Sequence, residues 1–230
     1  MEDVLLISEV ATQEAVFWFI PIIAWAALAG LGSTILIGTI RSIWGSGDHL
    51  GMAVLGMPES GKTTWYDYLL KTNRSGMHTV DSVEIDGFKI SFSDGKSVIV
   101  KKGKDIGGNE ENIRIYYSKM IENNDIVLFF LNIEKYLGSM AYERDANSRL
   151  DFIYFSWKEK KGDKDPSKTV YLIMTHVDKV SNSKEAIEKV LNRMRRRSFS
   201  AITTQHTAIN MINNEQLEGL KEKIFKRDGK

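Results

Sequence analysis

The stretch that decides the fold reads LGMAVLGMPESGKTTWYDYLL, from Leu50 to Leu70. Its apolar start leads into GMPESGKT, Gly56 to Thr63, which has the pattern G-x-x-x-x-G-K-[ST] of a phosphate-binding P-loop. Such a loop connects a buried strand to a helix, because the free N–H groups at the start of the helix attract anions. The stretch therefore predicts a strand, a turn and a helix that together bind the phosphates of a nucleotide.

The residue types in the loop have separate chemical roles. The two glycines permit backbone angles at which a Cβ would clash. The lysine adds a cation for the outer phosphates, and the threonine that follows adds a hydroxyl for Mg²⁺. The residues predicted to bind the nucleotide here are Gly56, Met57, Glu59, Ser60, Gly61, Lys62, Thr63 and Thr64.

The amino-acid composition limits the classes of protein to which the chain can belong. The 230 residues are 43% hydrophobic and 27% charged with a formal charge of +1, which is typical of a globular chain. The near-neutral charge does not favour nucleic acid as a partner. The chain has no cysteine and four scattered histidines, so neither a disulfide framework nor a zinc site is predicted.

The N-terminal part of the chain has a different character. Residues 1–14 form a short acidic segment, and residues 15–40 carry no charge at all. At about 1.5 Å per residue, the second stretch can cross a hydrocarbon core of roughly 30 Å. A buried core helix would have a polar face, and a signal peptide would have a basic start. We therefore predict one transmembrane helix over 15–40, whose small-residue spacings would also allow helix–helix contacts.

The orientation of this helix follows from charge and from substrate supply. Arg41 lies after the span and the acidic residues lie before it, which favours a cytoplasmic C-terminal side. A P-loop also needs a nucleotide triphosphate, which is cytosolic. Residues 41–49 form a linker that reaches at most about 30 Å, so the domain predicted over 50–230 would stay close to the bilayer.

The rest of the chain reads as alternating strands and helices. This alternation predicts an α/β fold with a mostly parallel sheet covered by helices on both faces. The predicted strands are 50–55, 83–92, 97–101, 125–131, 169–175 and 207–212, with a turn at Asp94-Gly95. The predicted helices follow the P-loop to about Lys71 and then cover 109–123, 139–160, 183–196 and 215–226.

Two later segments indicate which nucleotide is bound. Asp105-Ile106-Gly107-Gly108 has the D-x-x-G pattern that fits a magnesium-linked carboxylate and a glycine amide at the γ-phosphate. Thr175-His176-Val177-Asp178 follows a predicted strand directly, where ligands bind in open α/β sheets. A carboxylate at Asp178 can accept both N–H donors of guanine, and adenine offers no such pair. The combination favours GTP or GDP.

In these motifs the domain resembles a Ras-like small GTPase. GMPESGKTT and DIGGNEENIRIYYSKMIENNDIVLFFLN are similar to segments of the branch that holds the ADP-ribosylation factors and the signal-recognition-particle receptor β subunit. An N-terminal span before such a domain also matches the receptor β architecture. The resemblance covers about residues 50–227 and implies a GTPase switch.

The resemblance also implies a role for individual residues. Lys62 would bridge the β- and γ-phosphates, and Thr175, His176 and Asp178 would frame the guanine. Mg²⁺ would be held by Thr63, Thr79 and Asp105, and the alternative for Thr79 is a solvated loop threonine. Gly108 would contact the γ-phosphate, so that Lys62, Gly108 and Asn109 are the residues predicted to act in catalysis. Partner proteins would read the switch segments 72–82 and 105–111.

Several residues depart from the family pattern. Asn109 stands where many relatives carry the Gln that orients the attacking water, which puts intrinsic hydrolysis in doubt. His176 replaces the usual Lys, so the tether from that residue to the P-loop would change. Counting back from Leu217, Asn210-Met211 stands where relatives carry Ser-Ala, and Ser200-Ala201 comes too early. The polar residues 101–104 are predicted to separate a strand from Asp105.

Two other functions and one surface feature stay open at this stage. A nucleotide-bound scaffold that does not hydrolyse GTP is one alternative, and a P-loop ATPase is another, which Asp178 disfavours. The arginines of Arg193–Arg197 could be a solvated helix end stabilised by its own dipole. They could also rest on anionic lipid, since the short linker keeps the domain near the membrane.

Overall fold

The computed structural model describes residues 48–73, 82–106, 116–161 and 170–225. All of them belong to one compact unit that begins at Asp48. The strands are β1 Asp48–Leu50, β2 Met52–Gly56, β3 Ser82–Ile85, β4 Phe88–Ser91, β5 Ser97–Val100, β6 Gly103–Ile106, β7 Ile126–Asn132, β8 Val170–Thr175 and β9 His206–Ala208. The α-helices are α1 Lys62–Leu70, α2 Ser118–Asn123, α3 Ile133–Gly138, α4 Met140–Lys161, α5 Ser183–Met194 and α6 Asn214–Phe225, and 3₁₀ helices cover Val177–Lys179 and Ser198–Thr203.

The centre of the unit is a sheet of parallel strands. Its order within the described residues is β2-β7-β8-β9, and every neighbouring pair is parallel. Val54 pairs with Leu128, and Phe129 pairs with Leu172. All residues of β2 and β7 are buried. Strands that are covered on both faces read as continuous apolar runs, so the predicted α/β class with a parallel sheet is confirmed.

Alternate residues of β7 supply two cores, one on each face of the sheet. Val127 and Phe129 pack in the core that includes residues of α2, α4 and α5. Ile126 and Leu128 pack in the other core, with residues of α1 and α6. Each side chain of this size stabilises the fold by about 1.5–3 kcal/mol when it is fully buried. The helices on both faces thus hold the carboxyl ends of the strands in place.

The strand predicted over 83–92 is two strands that belong to different sheets. β3 pairs antiparallel with β6, while β4 pairs antiparallel with β5, which also pairs parallel with β1. The break lies at Asp86 and Gly87, and an ideal Cβ on Gly87 would lie 3.2 Å from the carbonyl oxygen of Val100. The prediction was wrong because both halves have β-type sequences and only their partners separate them. The Asp94-Gly95 turn between β4 and β5 is confirmed.

The polar residues before Asp105 do not form a simple spacer. Gly103 and Lys104 already belong to β6, which carries Asp105 into register opposite Val83. A two-stranded ladder held by backbone hydrogen bonds needs no apolar run, so hydrophobic patterning does not detect it. This pairing delivers Asp105, as a buried residue, towards the P-loop.

The helices agree with the predictions apart from one omission. Four helices match the predicted helices within a few residues: α1, α4, α5 and α6. For the helix predicted over 109–123, the structure describes the C-terminal part, which contains α2. α3 was missed, because it follows β7 without a gap and has only six residues. The last strand ends at Ala208 rather than Ile212, and the residues after it form a turn before α6.

In the part of the chain that the structure describes, no helix is long and apolar enough to cross a membrane. The predicted span, 15–40, lies outside the described residues, as do the acidic segment 1–14 and most of the linker. The transmembrane helix therefore stays a prediction.

Candidate nucleotide-binding site

The P-loop leaves the end of β2 and turns into α1. Gly56 and Gly61 have φ angles of 142° and 90°, and Glu59 also has a positive φ, of 53°. An ideal Cβ on Gly56 would lie 2.3 Å from the carbonyl oxygen of Phe130 on β7. Gly56 is therefore required both by its backbone angle and by the close approach of the neighbouring strand.

Replacing Gly56 with alanine is expected to lower the free energy of unfolding by about 2–4 kcal/mol. Strain at a positive φ and overpacking against an immovable backbone atom each cost about 1–3 kcal/mol. Chemical denaturation of both proteins would measure this. Gly95→Ala is the matched control, because Gly95 has a φ of 79° but nothing within 4 Å of an added Cβ. Equal losses in the two variants would contradict a close approach at Gly56.

Lys62 lies inside the loop as a buried cation. Its Nζ donates to the carbonyl oxygens of Met57 at 2.7 Å and Gly56 at 3.5 Å, and only 7% of the residue is exposed. Burial lowers the pKa of Lys62 from 10.5 to about 8, with Asp105 opposing the shift and Arg149 adding to it. A bound phosphate would supply the negative charge that such a buried ammonium requires.

Thr63 and Asp105 meet although 42 residues separate them. The Thr63 hydroxyl donates to Oδ2 of Asp105 over 3.2 Å, and Asp105 is 1% exposed. A hydroxyl and a carboxylate are hard oxygen donors, which fit Mg²⁺. This metal usually takes one or two carboxylates and completes its shell with phosphate oxygens and water. The donor chemistry of the predicted pair therefore fits the predicted ion.

The segment Thr175 to Asp178 lies at the carboxyl end of β8, beside the P-loop. The Thr175 hydroxyl lies 3.0 Å from the carbonyl oxygen of Ser60 and 3.2 Å from that of Leu131, so it connects β8 to the loop. Asp178 follows in a single 3₁₀ turn, and 28% of its side chain is exposed. This places a carboxylate where a bound base could reach it.

His176 differs chemically from the lysine that the resemblance implies. Its φ is 59°, and its Nδ1 lies 2.9 Å from the Thr175 hydroxyl. Burial lowers the pKa of His176 below its usual 6.5, although the neighbouring Asp178 opposes this shift. The imidazole is therefore mostly neutral at pH 7 and supplies no cation to the P-loop.

The turn after β9 also reaches the P-loop. The Met211 side chain lies 3.0 Å from the ideal Cβ position of Gly61, which places Asn210-Met211 at the site. The Asn210 N–H donates to Oε1 of Gln216 over 2.7 Å. Ser200-Ala201 lies elsewhere, in the 3₁₀ helix before β9.

Sequence reasoning missed a buried cluster behind the loop. The Tyr117 hydroxyl accepts from the Gly56 N–H at 3.1 Å and donates to the Gly56 carbonyl at 3.2 Å. Arg149 of α4 donates to the same carbonyl over 3.4 Å, and it donates twice to Asp145, at 2.9 and 2.7 Å. A spacing of four between Asp145 and Arg149 is common on solvated helices, so the sequence contains no signal that Arg149 is buried.

A second missed contact reaches the loop from α3. Lys135 Nζ lies 2.5 Å from Oε2 of Glu59, in an ion pair that is partly exposed at both ends. The ammonium group that reaches Glu59 therefore comes from α3 and not from position 176.

Some predicted residues lie outside the described part of the chain or away from the loop. Thr79, Gly108 and Asn109 are outside it, so their roles stay predictions. Arg193, Arg195, Arg196 and Arg197 lie at and beyond the end of α5 with exposed side chains, and Arg193 pairs with Glu143 at 2.7 Å.

Comparison with known proteins identifies the fold. No protein-family model and no curated protein sequence matches the chain. The crystal structure of a bacterial selenocysteine-specific elongation factor, EF-Sec, superposes with a TM-score of 0.54 at 16% identity, over 78% of this chain and 28% of that one. Translation elongation factor SelB from Methanococcus maripaludis, in complex with the GTP analogue GPPNHP, superposes with a TM-score of 0.52 at 14% identity, over 78% of this chain and 34% of that one.

This chain thus spans about a third or less of each of those two chains. At such low identity the likeness concerns the fold alone. It does not distinguish the ADP-ribosylation factor and receptor β branch from other P-loop GTPases, so that finer assignment stays a prediction. The described domain therefore shares its fold with these two elongation factor structures.

Proposed function

We propose that the chain is a membrane-anchored GTP-binding protein whose switch reaction is GTP + H₂O to GDP + phosphate. The observation that carries the proposal is the meeting of Thr63 and Asp105 beside a P-loop that encloses Lys62. These three groups supply a cation and two oxygen donors where the outer phosphates of a nucleotide would lie. Asp178 adds a carboxylate for guanine.

Each residue of the proposed site would have a separate role in binding the nucleotide. Lys62 and the N–H groups of the loop bind the phosphates and stabilise the charge that develops at the β–γ bridge. Thr63 and Asp105 would hold Mg²⁺, which supplies charge neutralisation at the same oxygens when it is bound. Thr175 positions the loop through the Ser60 carbonyl, and Asp178 orients the base.

The base assignment is tested by replacing Asp178 with asparagine. Guanine affinity is expected to fall by roughly thirtyfold or more, because losing one charged partner costs about 2–5 kcal/mol. Xanthine nucleotides should bind this variant better than the wild type, since an amide can donate to the carbonyl that replaces the guanine amino group. Equilibrium titration with GDP and XDP measures both effects. Unchanged GDP affinity would show that the base lies elsewhere.

A nucleotide-bound scaffold without turnover is the second candidate. Asn109 favours it, because its side chain is one methylene shorter than the Gln that commonly orients water. Single-turnover measurement of phosphate release from bound GTP separates the two, and it should be repeated with Asn109→Gln. Release in the wild type supports the switch. No release in either protein supports the scaffold.

The proposal places the nucleotide-binding domain at the cytosolic face of a membrane. It rests on the uncharged residues 15–40, and on Arg193–Arg197 as a second contact with anionic lipid. Segments 72–82 and 105–111 would change with the nucleotide and would be read by a partner protein. Extraction of the full chain by detergent but not by high salt would support the anchor, and recovery in the soluble fraction would contradict it.

The most direct test identifies the nucleotide that co-purifies with the full chain in detergent. Guanine nucleotides are expected. Competition between ATP and GTP for the emptied site provides the control, and tighter ATP binding would support the P-loop ATPase instead.

A further inference from the structure

Glu59 is an acidic residue within the loop that is proposed to bind an anion. Four P-loop features attract phosphate: the loop N–H groups, the start of α1, Lys62 and the positive φ angles that turn N–H groups inward. A carboxylate in the same loop opposes them, because like charges repel. Glu59 is 57% exposed at the side chain, so bulk water alone would reduce this repulsion only in part.

Lys135 compensates this charge in the structure. Its Nζ lies 2.5 Å from Oε2 of Glu59, and this contact joins residues that are 76 positions apart. Lys135 is held in place by its own helix, since its backbone N–H donates to Oδ1 of Asn132 over 3.1 Å. Ile133 and Tyr136 of the same helix are buried, so α3 is anchored in the core beside the site.

The P-loop is also held in place at Ser60, the residue that follows Glu59. The Thr175 hydroxyl lies 3.0 Å from the Ser60 carbonyl oxygen, next to Glu59 in the chain. The Glu59 backbone adopts a φ of 53°, and its carboxylate meets the ammonium group of α3. The pair therefore lies at the edge of the P-loop, and its charges sum to zero as long as both partners are present.

We propose that Lys135 is a positioning residue for the nucleotide, which neutralises the Glu59 carboxylate and holds it away from the phosphates. The inference rests on the proposed binding of a guanine nucleotide. It assigns to α3 a role in phosphate affinity that acts through Glu59. Its effect should grow with the negative charge of the ligand and should shrink as salt screens the carboxylate.

The experiment compares Lys135→Met, Glu59→Gln and the double variant in the full chain in detergent, by titration with GTP, GDP and GMP in the presence of Mg²⁺. Lys135→Met should weaken GTP binding by about threefold to tenfold at low salt, as expected when one compensating charge is lost from a partly solvated ion pair. The loss should be smaller for GMP and smaller at high salt. Adding Glu59→Gln to Lys135→Met should recover affinity relative to Lys135→Met alone, because the carboxylate is gone while the backbone of the loop is kept.

A matched control tests whether any exposed lysine has this effect. Lys189 pairs with Glu185 on α5 at 2.6 Å, and both side chains of this pair are exposed. Lys189→Met should leave all three affinities unchanged. The midpoint of thermal unfolding should not change in any of these variants, since exposed ion pairs contribute little to stability.

The outcomes separate the inference from the proposed function. If the wild type binds no guanine nucleotide, the proposed function fails. If the wild type binds GTP and Lys135→Met binds it equally well, only the inference is overturned. A double variant that stays as weak as Lys135→Met would also overturn it, because Lys135 would then act independently of Glu59.

Discussion

Lys62→Met is expected to weaken GTP binding by roughly thirtyfold or more while it stabilises the nucleotide-free protein. Loss of a buried cation that contacts an anionic ligand costs about 2–5 kcal/mol in affinity. The ammonium is 7% exposed and has carbonyl oxygens as its short contacts, so methionine of similar size removes a buried charge from the empty loop. Titration with GTP and chemical denaturation without nucleotide would measure the two opposite effects.

The gain in stability should depend on pH in a defined direction. The pKa of Lys62 is about 8 in the folded chain and 10.5 in the unfolded chain, mainly because burial disfavours the charged form. Between these values the unfolded chain holds one more proton, so the stability of the wild type rises with pH. The variant should therefore be more stable by about 3 kcal/mol below pH 8, and this difference should vanish as the pH approaches 10.5.

Lys71→Met is the control for this prediction. Lys71 ends α1 with a φ of 55° and an exposed side chain, so it shares the residue type and the helix but not the loop. Its replacement should leave GTP affinity unchanged. A constant stability difference between Lys62→Met and the wild type across this pH range would show that the ammonium is not buried.

Asp145→Asn is expected to lower the free energy of unfolding by about 3 kcal/mol. Arg149 has only 2% of its side chain exposed, and both of its contacts to Asp145 are charge-assisted hydrogen bonds. Removing the partner of a buried charge typically costs about 3–5 kcal/mol, and the lower end applies here because 32% of the Asp145 side chain is exposed. Chemical denaturation of both proteins would measure the loss.

A second substitution tests the cause of this loss. Adding Arg149→Met should recover part of the stability, because the uncompensated charge is then removed from the interior. Glu185→Gln, in the exposed pair with Lys189, should lower the free energy of unfolding only slightly. A loss of that small size in Asp145→Asn would contradict the view that Arg149 needs its partner to stay buried behind the P-loop.

Features that depend on neighbouring residues could be predicted from the sequence. The P-loop was located because glycine spacing, Lys62 and Thr63 are local requirements of phosphate binding. β2, β7 and β8 were located because strands buried on both faces need apolar residues at every position. The resemblance assigned both Thr63 and Asp105 to Mg²⁺, and the structure brings the two side chains together.

Features that depend on distant partners could not be predicted. The bounds of β3 and the existence of β6 were not predicted. The two strands pair through backbone hydrogen-bonding groups, which every residue carries, so their pairing leaves no pattern in the sequence. α3 was missed because six residues are too few for a helical period to be recognised.

The charged residues around the P-loop likewise have roles that depend on distant partners. In the sequence, three charged residues look like ordinary residues of solvated helices: Asp145, Arg149 and Lys135. The spacing of a charged residue does not show whether its side chain lies on the buried or on the exposed face of its helix. Their roles depend on contacts with Gly56 and Glu59, which are 93 and 76 positions away from Arg149 and Lys135.

The sequence by itself thus determined the strand–loop–helix of the P-loop, the parallel sheet behind it and the position of Asp178 at the end of β8, because each follows from local chemistry and short periodicities. The tertiary structure alone decided which charges surround the loop. Burial of Arg149 behind Gly56 and compensation of Glu59 by Lys135 exist only once the folded sheet brings α3 and α4 to the carboxyl end of β2. The physical reason is that the free-energy cost of placing a charge in the folded protein depends on its solvent exposure and on its partners.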